Sequence, residues 1–210
     1  SEAQKNKLLA AIERNESAKF FSEQGEYKLA VNAIVRAMQL DKDPADFDNL
    51  KAMFEKITAQ RELLKIRIAT EKQFQKFAEA KQVLLKAKLA ILKKMNTGKK
   101  LSDKELKSLQ ASLKTADEKL SSLQMEVSTA QRDYKEKTLP FLNVVLSKKL
   151  ESQASSYTKS RFEVEGKNQE LEKEIVKHLT EIGESSEITW KNLREDIIEL
   201  GDLLNTSFRL

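Results

Sequence analysis

The sequence contains no cysteine and few residues that interrupt helices. Its 210 residues include no Cys, 5 Gly and 2 Pro, and aromatic residues make up only 6% of them. The lack of Cys excludes disulfides and thiol nucleophiles, and it argues against a structural zinc site, which commonly uses thiolate ligands. It leaves the compartment open, because cytosolic and exported proteins can both lack Cys.

Long apolar runs and known catalytic signatures are also missing. No stretch approaches the roughly 18 apolar residues of a membrane span, and no signal peptide is recognisable. The chain starts at Ser1 without Met, so removal of a leader and trimming of the chain both stay open. No P-loop, dinucleotide-binding, HExxH or nucleophile-elbow motif is present. We therefore predict no enzymatic activity, no cofactor and no small-molecule substrate.

Charged residues are abundant instead, at 34% of the chain. Together with frequent Ala, Leu, Lys and Glu, this composition is typical of long helices and coiled coils. The hydrophobic fraction is 40%, which suits a narrow packed seam better than a wide globular core. We therefore predict an all-α fold of elongated shape, an antiparallel coiled-coil hairpin with a small helical head.

The spacing of apolar residues predicts that residues 1–46 form the head from two short helices. The first is expected from Ala3 to Gln24 and the second from Tyr27 to Leu40. Apolar residues recur in both at three- and four-residue steps, as one buried helix face requires. Pro44 ends the second helix, and Asp46 is the expected N-cap of the next one.

Residues 47–184 are predicted to form the long antiparallel hairpin. A third helix from Phe47 to Met95 leads into the turn "NTGKK", where Asn96 and Gly98 tolerate the left-handed conformation that closes helices. The tip of the hairpin is therefore expected at residues 96–102.

A capping-box pattern at Ser102 and Glu105 starts the fourth predicted helix. The apolar seam after it alternates three- and four-residue steps over about four heptads, which predicts left-handed supercoiling. The seam consists of Leu106, Leu109, Leu113, Ala116, Leu120, Leu123, Val127, Ala130 and Tyr134. Because the residues around Pro140 stay apolar and helical in pattern, we predict a kink there and not a chain reversal.

Three polar residues, Arg161, Asn168 and His178, fall on the seam where it resumes after Pro140. Polar residues in such a seam fix the register of packed helices, and we predict that role for all three. Residues 185–210 are predicted to form an amphipathic helix that packs on the head. Trp190 is expected to anchor it, either in the core or in an interface with a partner.

A run of lysines precedes the predicted tip. From Ala80 to Ser102 the chain carries seven lysines and no acidic residue. Such a run at a hairpin tip can contact a protein partner or an anionic membrane; the alternative is a solvated face whose lysine stems cover apolar surface. The residues predicted to make the contact are Lys86, Lys88, Lys93, Lys94, Lys99 and Lys100. Nucleic acid is not expected as a partner, because the run lacks Arg and aromatic residues.

The segment 18–44 resembles a single tetratricopeptide repeat. The small, glycine and aromatic positions of that family are matched in spacing by Ala18, Gly25, Tyr27, Ala30 and Ala37, while Pro44 comes two residues late. The resemblance implies a tight helical hairpin. A peptide-binding array is not expected, because no second copy is found and such an array needs about three repeats.

The tetratricopeptide-like head and the long coiled helices without Cys resemble the sheath proteins of spirochaete periplasmic flagella, the flagellar coiling proteins. That resemblance implies a periplasmic structural protein of the motility apparatus, with copies of itself or filament subunits as partners. A long kinked hairpin with a basic tip also resembles BAR domains, which implies as the alternative a dimeric membrane-curvature module at a cytoplasmic membrane surface. A pore-forming component is disfavoured because no apolar tongue is visible.

Overall fold

The computed structural model describes residues 1–183, and all regular secondary structure in them is helical. The helices in chain order are α1 (Glu2–Ile12), α2 (Lys19–Glu23), α3 (Tyr27–Leu40), α4 (Pro44–Asn96), α5 (Asp103–Thr138) and α6 (Lys148–Gly183). A π-helical turn, Glu13–Ala18, joins α1 to α2, and a 3-10 turn, Leu139–Phe141, follows α5. The predicted all-α fold is confirmed. None of these helices is apolar enough over a sufficient length to cross a membrane.

The contacts between residues divide the chain into two compact units. Unit 1 comprises Ser1–Glu71 and Gln131–Thr158, and unit 2 comprises Lys72–Ala130 and the chain from Lys159 onward. The predicted head, hairpin and C-terminal segment follow other boundaries, and that division stays a prediction. The predicted helix at 185–210, including Trp190, lies outside the described residues.

The N-terminal helices of unit 1 lie where the sequence predicts them. The second predicted helix has the same bounds as α3, and the first corresponds to α1, the π-helical turn and α2 taken together. The π-helical turn was not predicted. It is tied to α3 by Arg36, whose Nε and Nη2 donate to the two carboxylate oxygens of Glu13 at 3.2 and 3.1 Å.

The core of unit 1 joins α3, α4 and α6. Its buried side chains are Ala18, Tyr27, Ala30, Ala33, Ile34, Ile57, Leu64, Leu146, Leu150 and Ala154. The small residues of the tetratricopeptide-like pattern therefore serve close packing, since Ala18 and Ala30 are fully buried. Burial raises the pKa of the Tyr27 hydroxyl to about 12.

Gly25 forms the tight turn between α2 and α3. Its φ of +79° lies in the left-handed region, which glycine adopts without steric cost. A β-carbon at this position would lie 3.0 Å from Gln153 Nε2 and 3.1 Å from Leu150 Cδ2. The turn therefore needs glycine both for its backbone conformation and for its close packing against α6.

The start of α4 differs from the prediction that Asp46 is its N-cap. Pro44 is the first residue of the helix, and the Asp43 carboxylate accepts a hydrogen bond from the Ala45 amide at 3.0 Å. Proline suits the first helical position because its missing N–H needs no partner there. Asp43 is therefore the cap, and Asp46 lies in the first turn, where its carboxylate is 3.2 Å from Lys7 Nζ.

In unit 2, α4 and α5 pack as an antiparallel pair. Gln73 Nε2 donates to Glu126 at 2.8 Å, and Lys94 Nζ lies 3.5 Å from the Glu105 carboxylate. The chain turns between the two helices, where Gly98 has a φ of +68°. The Ser102 hydroxyl caps α5 by accepting from the Glu105 amide at 3.2 Å.

The core of unit 2 is built on the predicted seam. Leu106, Leu113 and Ala116 of α5 are buried there, and Leu109 and Leu120 are half-buried against them. The residues they contact belong to α4 and α6: Leu84, Leu85, Leu89, Ile91, Leu92, Met95, Leu171 and Ile175. Three helices thus share one core in this unit.

The predicted kink at Pro140 is wrong, because the chain reverses there. Within unit 2, α6 runs parallel to α4: Asn168 bonds to Ala78, Glu172 pairs with Lys81, and His178 lies beside Asn96. Since α5 is antiparallel to α4, α5 and α6 run in opposite directions. Proline lacks an N–H and disfavours helix in the residue before it. Residues 139–147, which we call the connector, accordingly leave the α-helix and turn the chain.

We expect Gly25→Ala to destabilise the protein by about 1–2 kcal/mol, the cost of a left-handed backbone for a residue with a β-carbon. Gly166 is the control, because it lies inside α6 and a β-carbon there meets nothing within 4 Å. Gly166→Ala should stabilise the protein by about 0.5–1 kcal/mol. Urea unfolding followed by circular dichroism measures both changes. Equal shifts of the same sign would contradict this account of the turn.

Candidate functional site: the connector groove

A groove of about 960 Å³ lies in unit 1. Its walls come from α2, α4 and the connector. The residues that line it are Lys19, Ser22, Glu23, Ala52, Met53, Glu55, Lys56, Ile57, Gln60, Asn143, Val144, Val145, Leu146 and Ser147. We call it the connector groove, because the irregular connector forms one entire wall.

Gln60 fixes the connector against the two helical walls. Its side chain is 7% exposed, its Nε2 donates to the Val145 carbonyl at 2.9 Å, and its Oε1 accepts from the Ser22 hydroxyl at 3.2 Å. A buried amide without partners costs about 1–3 kcal/mol. Both ends of this amide are satisfied only while α2, α4 and the connector stay together, so one side chain holds all three walls.

The connector exposes three large apolar residues, of which Val145 also lines the groove. Leu139, Leu142 and Val145 are 65%, 75% and 78% exposed, and we call them the connector ridge. Leu139 begins the 3-10 turn and Leu142 follows its end, and residues three apart in such a turn eclipse one another. Two large aliphatic side chains therefore project together from the same side of the chain reversal.

The rim of the groove carries charges of both signs. Lys19 and Glu23 lie on α2, and Glu55 and Lys56 lie on α4; all four residues are exposed. None of these four side chains forms an ion pair with another residue in the described part of the chain. The groove thus combines an apolar interior with a balanced, solvated rim.

The six lysines predicted to make contacts differ in their exposure to solvent. Lys86, Lys93, Lys94, Lys99 and Lys100 are exposed, although Lys94 also faces the Glu105 carboxylate at 3.5 Å. Lys88 is 1% exposed and lies within the core of unit 2, so its prediction as a surface contact is wrong. Burial lowers the pKa of Lys88, and the negative charge of Asp117 opposes that shift.

The three seam residues all contact α4 in unit 2. The Arg161 guanidinium lies 5.4 Å from the Phe74 ring centroid, and Asn168, which is 3% exposed, donates from Nδ2 to the Ala78 carbonyl at 2.9 Å. His178 Nδ1 lies 2.7 Å from Asn96 Nδ2. Their positions at this interface agree with a role in register, which itself stays a prediction. Among residues 1–183, no cluster of acidic or histidine side chains is arranged to hold a metal ion.

Sequence reasoning missed the connector groove, because the sites it predicted were lysines, the three polar seam residues and Trp190. A signal was present in "LPFLNVV", residues 139–145. Leu139, Leu142 and Val145 recur at three-residue steps, whereas the preceding seam alternates steps of three and four. Three apolar residues next to Pro140 that do not follow the spacing of the seam indicate apolar side chains that are not buried in the seam.

Comparisons of the chain with protein families, with curated proteins and with solved structures found no match.

The stability of Lys88→Met relative to the wild type should be higher near neutral pH than near pH 10.5, because the variant lacks the buried amine whose charged form burial disfavours. The pKa of Lys88 is lower in the folded chain than the ordinary value of 10.5, so the unfolded chain binds the proton more tightly. The penalty is fully present below the lowered pKa and disappears as the pH approaches 10.5.

Urea unfolding of Lys88→Met and of the wild type at several pH values measures this effect, and the difference should favour the variant most near neutral pH. Lys86→Met is the matched control, because Lys86 lies on the exposed side of the same helix. Its stability should stay within about 0.5 kcal/mol of the wild type. A stability difference between Lys88→Met and the wild type that is the same at neutral pH and near pH 10.5 would contradict the lowered pKa of Lys88.

Proposed function

We propose that the chain is a non-enzymatic structural or assembly protein that acts through protein–protein contacts at the connector groove. The observation that carries the proposal is the connector ridge, whose residues are 65–78% exposed beside an apolar groove. Exposed apolar surface of this kind next to a concavity is typical of interaction sites. Burying the ridge against a partner would remove its apolar surface from water.

The chemistry of the groove favours a protein partner over a small molecule. Small-molecule sites orient their ligand with a few converging polar groups. In this groove Gln60 is the buried polar side chain, and both ends of its amide already bond to Val145 and Ser22. The free charges lie on the rim, where a protein interface places its polar contacts.

The finer proposal is that the protein belongs to the sheath of a filament, such as the flagellar filament of a spirochaete, and to motility. It is supported by the resemblance of residues 18–44 to a tetratricopeptide hairpin and by the long helices α4, α5 and α6. The proposal includes export to the periplasm, because such sheath proteins lie there.

A photo-crosslinking residue at position 145, introduced in the native organism, should give discrete adducts with protein partners. The same residue at position 125 is the matched control, because Met125 is 76% exposed and Val145 78% exposed. Position 125 should give no discrete adduct. Adducts are measured by immunoblot and mass spectrometry after irradiation.

Identical patterns at positions 145 and 125, or no adduct at 145, would contradict protein contact through the groove. Cell fractionation tests the finer proposal in the same experiment. Adducts at 145 that purify with the filaments support a sheath, whereas adducts confined to the cytosol contradict it.

The exposed lysines beside the α4–α5 turn favour a second candidate, the BAR-like membrane module. Lys93 and Lys99 are exposed, and neither forms an ion pair within the described residues. Lysines near the end of a helix also interact favourably with its dipole, which explains their position without a membrane.

Under the assembly proposal the protein should not co-sediment with vesicles of anionic phospholipid at physiological salt. The membrane alternative expects binding that falls when lysines at the turn become glutamate, since each is worth about 1 kcal/mol near an anionic surface. The variant Lys93→Glu/Lys99→Glu is compared with Lys114→Glu/Lys119→Glu. The second variant carries the same charge change, but on α5 and not at the turn. Binding that only the first variant abolishes would contradict the assembly proposal.

A further inference from the structure

We propose that the occupant of the connector groove is a second copy of this chain. In this pairing a twofold axis relates the copies, and the connector ridge of each enters the groove of the other. The inference rests on the proposed function, because it names the partner of the same groove.

The ridge and the groove share Val145, which gives the patch both a projecting and a receiving part. In a twofold interface the same patch faces itself, so each copy must present both a projecting and a receiving part. Val145 belongs to both parts: it lines the groove and is 78% exposed. A partner that fills the groove therefore also covers Val145 of the ridge, and a second copy supplies both a projecting and a receiving part.

The charges on the rim are self-complementary. Two lysines, Lys19 and Lys56, and two glutamates, Glu23 and Glu55, surround the groove without ion pairs among the described residues. A rim of one sign would repel its own copy, whereas a rim of equal and mixed charge lets each lysine face a glutamate. Charge of this kind suppresses wrong partners more than it adds affinity.

The groove is large enough to receive aliphatic side chains of a partner's ridge. The groove volume of about 960 Å³ is at the upper end of the roughly 300–1,000 Å³ found for ligand pockets, so it has room for several aliphatic side chains. The ridge offers Leu139 and Leu142 from one side of the 3-10 turn. Because Gln60 already fixes the connector, pairing costs little further ordering, and preorganised surfaces bind more tightly for that reason.

Sedimentation equilibrium of the full chain over a wide concentration range tests the pairing. The wild type should be a dimer in equilibrium with monomer. Leu142→Asp should weaken the dimer at least about tenfold, since burying an unpaired carboxylate is costly. Met125→Asp is the control, because Met125 is as exposed as Leu142 but belongs to unit 2, and it should leave the equilibrium unchanged. Circular dichroism checks that both variants are folded.

The lack of native Cys allows a second, geometric test, because an introduced Cys is the only thiol. A mixture of Leu142→Cys and Lys56→Cys chains should give a cross-linked heterodimer with a short bismaleimide. A mixture of Met125→Cys and Lys56→Cys chains should give none. Cross-linking in both mixtures to the same extent would reflect random collision and would overturn the proposal.

A monomeric wild type without the specific cross-link would overturn the second copy as occupant, and so would a dimer that Leu142→Asp leaves intact. Open-ended oligomers that Leu142→Asp dissolves would overturn the twofold arrangement, since a twofold contact ends at two copies and only head-to-tail contacts continue beyond them. The proposed function fails separately: it falls if position 145 gives no protein adduct in cells. Adducts at 145 with a different protein, together with a monomeric chain, would leave the proposed function standing and reject the second copy.

Discussion

The buried amide of Gln60 is the interaction on which the surface of unit 1 depends. It joins the connector to α4 through the Val145 carbonyl and α4 to α2 through the Ser22 hydroxyl. An irregular segment has no internal ladder of hydrogen bonds, so its backbone groups need partners from elsewhere. Gln60 supplies one for the connector, and the groove and the ridge take their form from that attachment.

The connector divides its apolar residues between the inside and the outside of unit 1. Leu146 is buried in the core, and Leu150 follows it there at the start of α6. Leu139, Leu142 and Val145 remain exposed. A segment that served only to reverse the chain would need no large aliphatic residues on its outer side. The division therefore separates a structural role, carried by Leu146, from a surface role, carried by the ridge.

The helices could be predicted from the sequence because their signals are local. The bounds of α3 and the seam of α5 follow from three- and four-residue spacing, which one buried face imposes within a few turns. The choice between a kink and a reversal at Pro140 could not be made in this way. It depends on partners far along the chain, such as Gln60, which lies 85 residues from Val145 in sequence.

The candidate site was less predictable than the fold, as Lys88 illustrates. It was interpreted as part of a basic surface run, although Leu84, Leu85 and Leu92 lie three or four residues away and share its helical face. The position of Lys88 on an apolar stripe would have predicted its burial better than its charge did. The connector groove could not be predicted from such a stripe, because its walls come from three segments that only the tertiary structure brings together.

Burial gives Lys88 a reactivity unlike that of its neighbours in the run. Its lowered pKa increases the neutral fraction of the amine, which is the nucleophilic form. At 1% exposure, however, electrophiles and acyl-transfer enzymes reach that amine only when unit 2 opens locally. Acylation at Lys88 therefore reports the opening of a helical core. Acylation at Lys86, which lies on the exposed side of the same helix, requires no such opening.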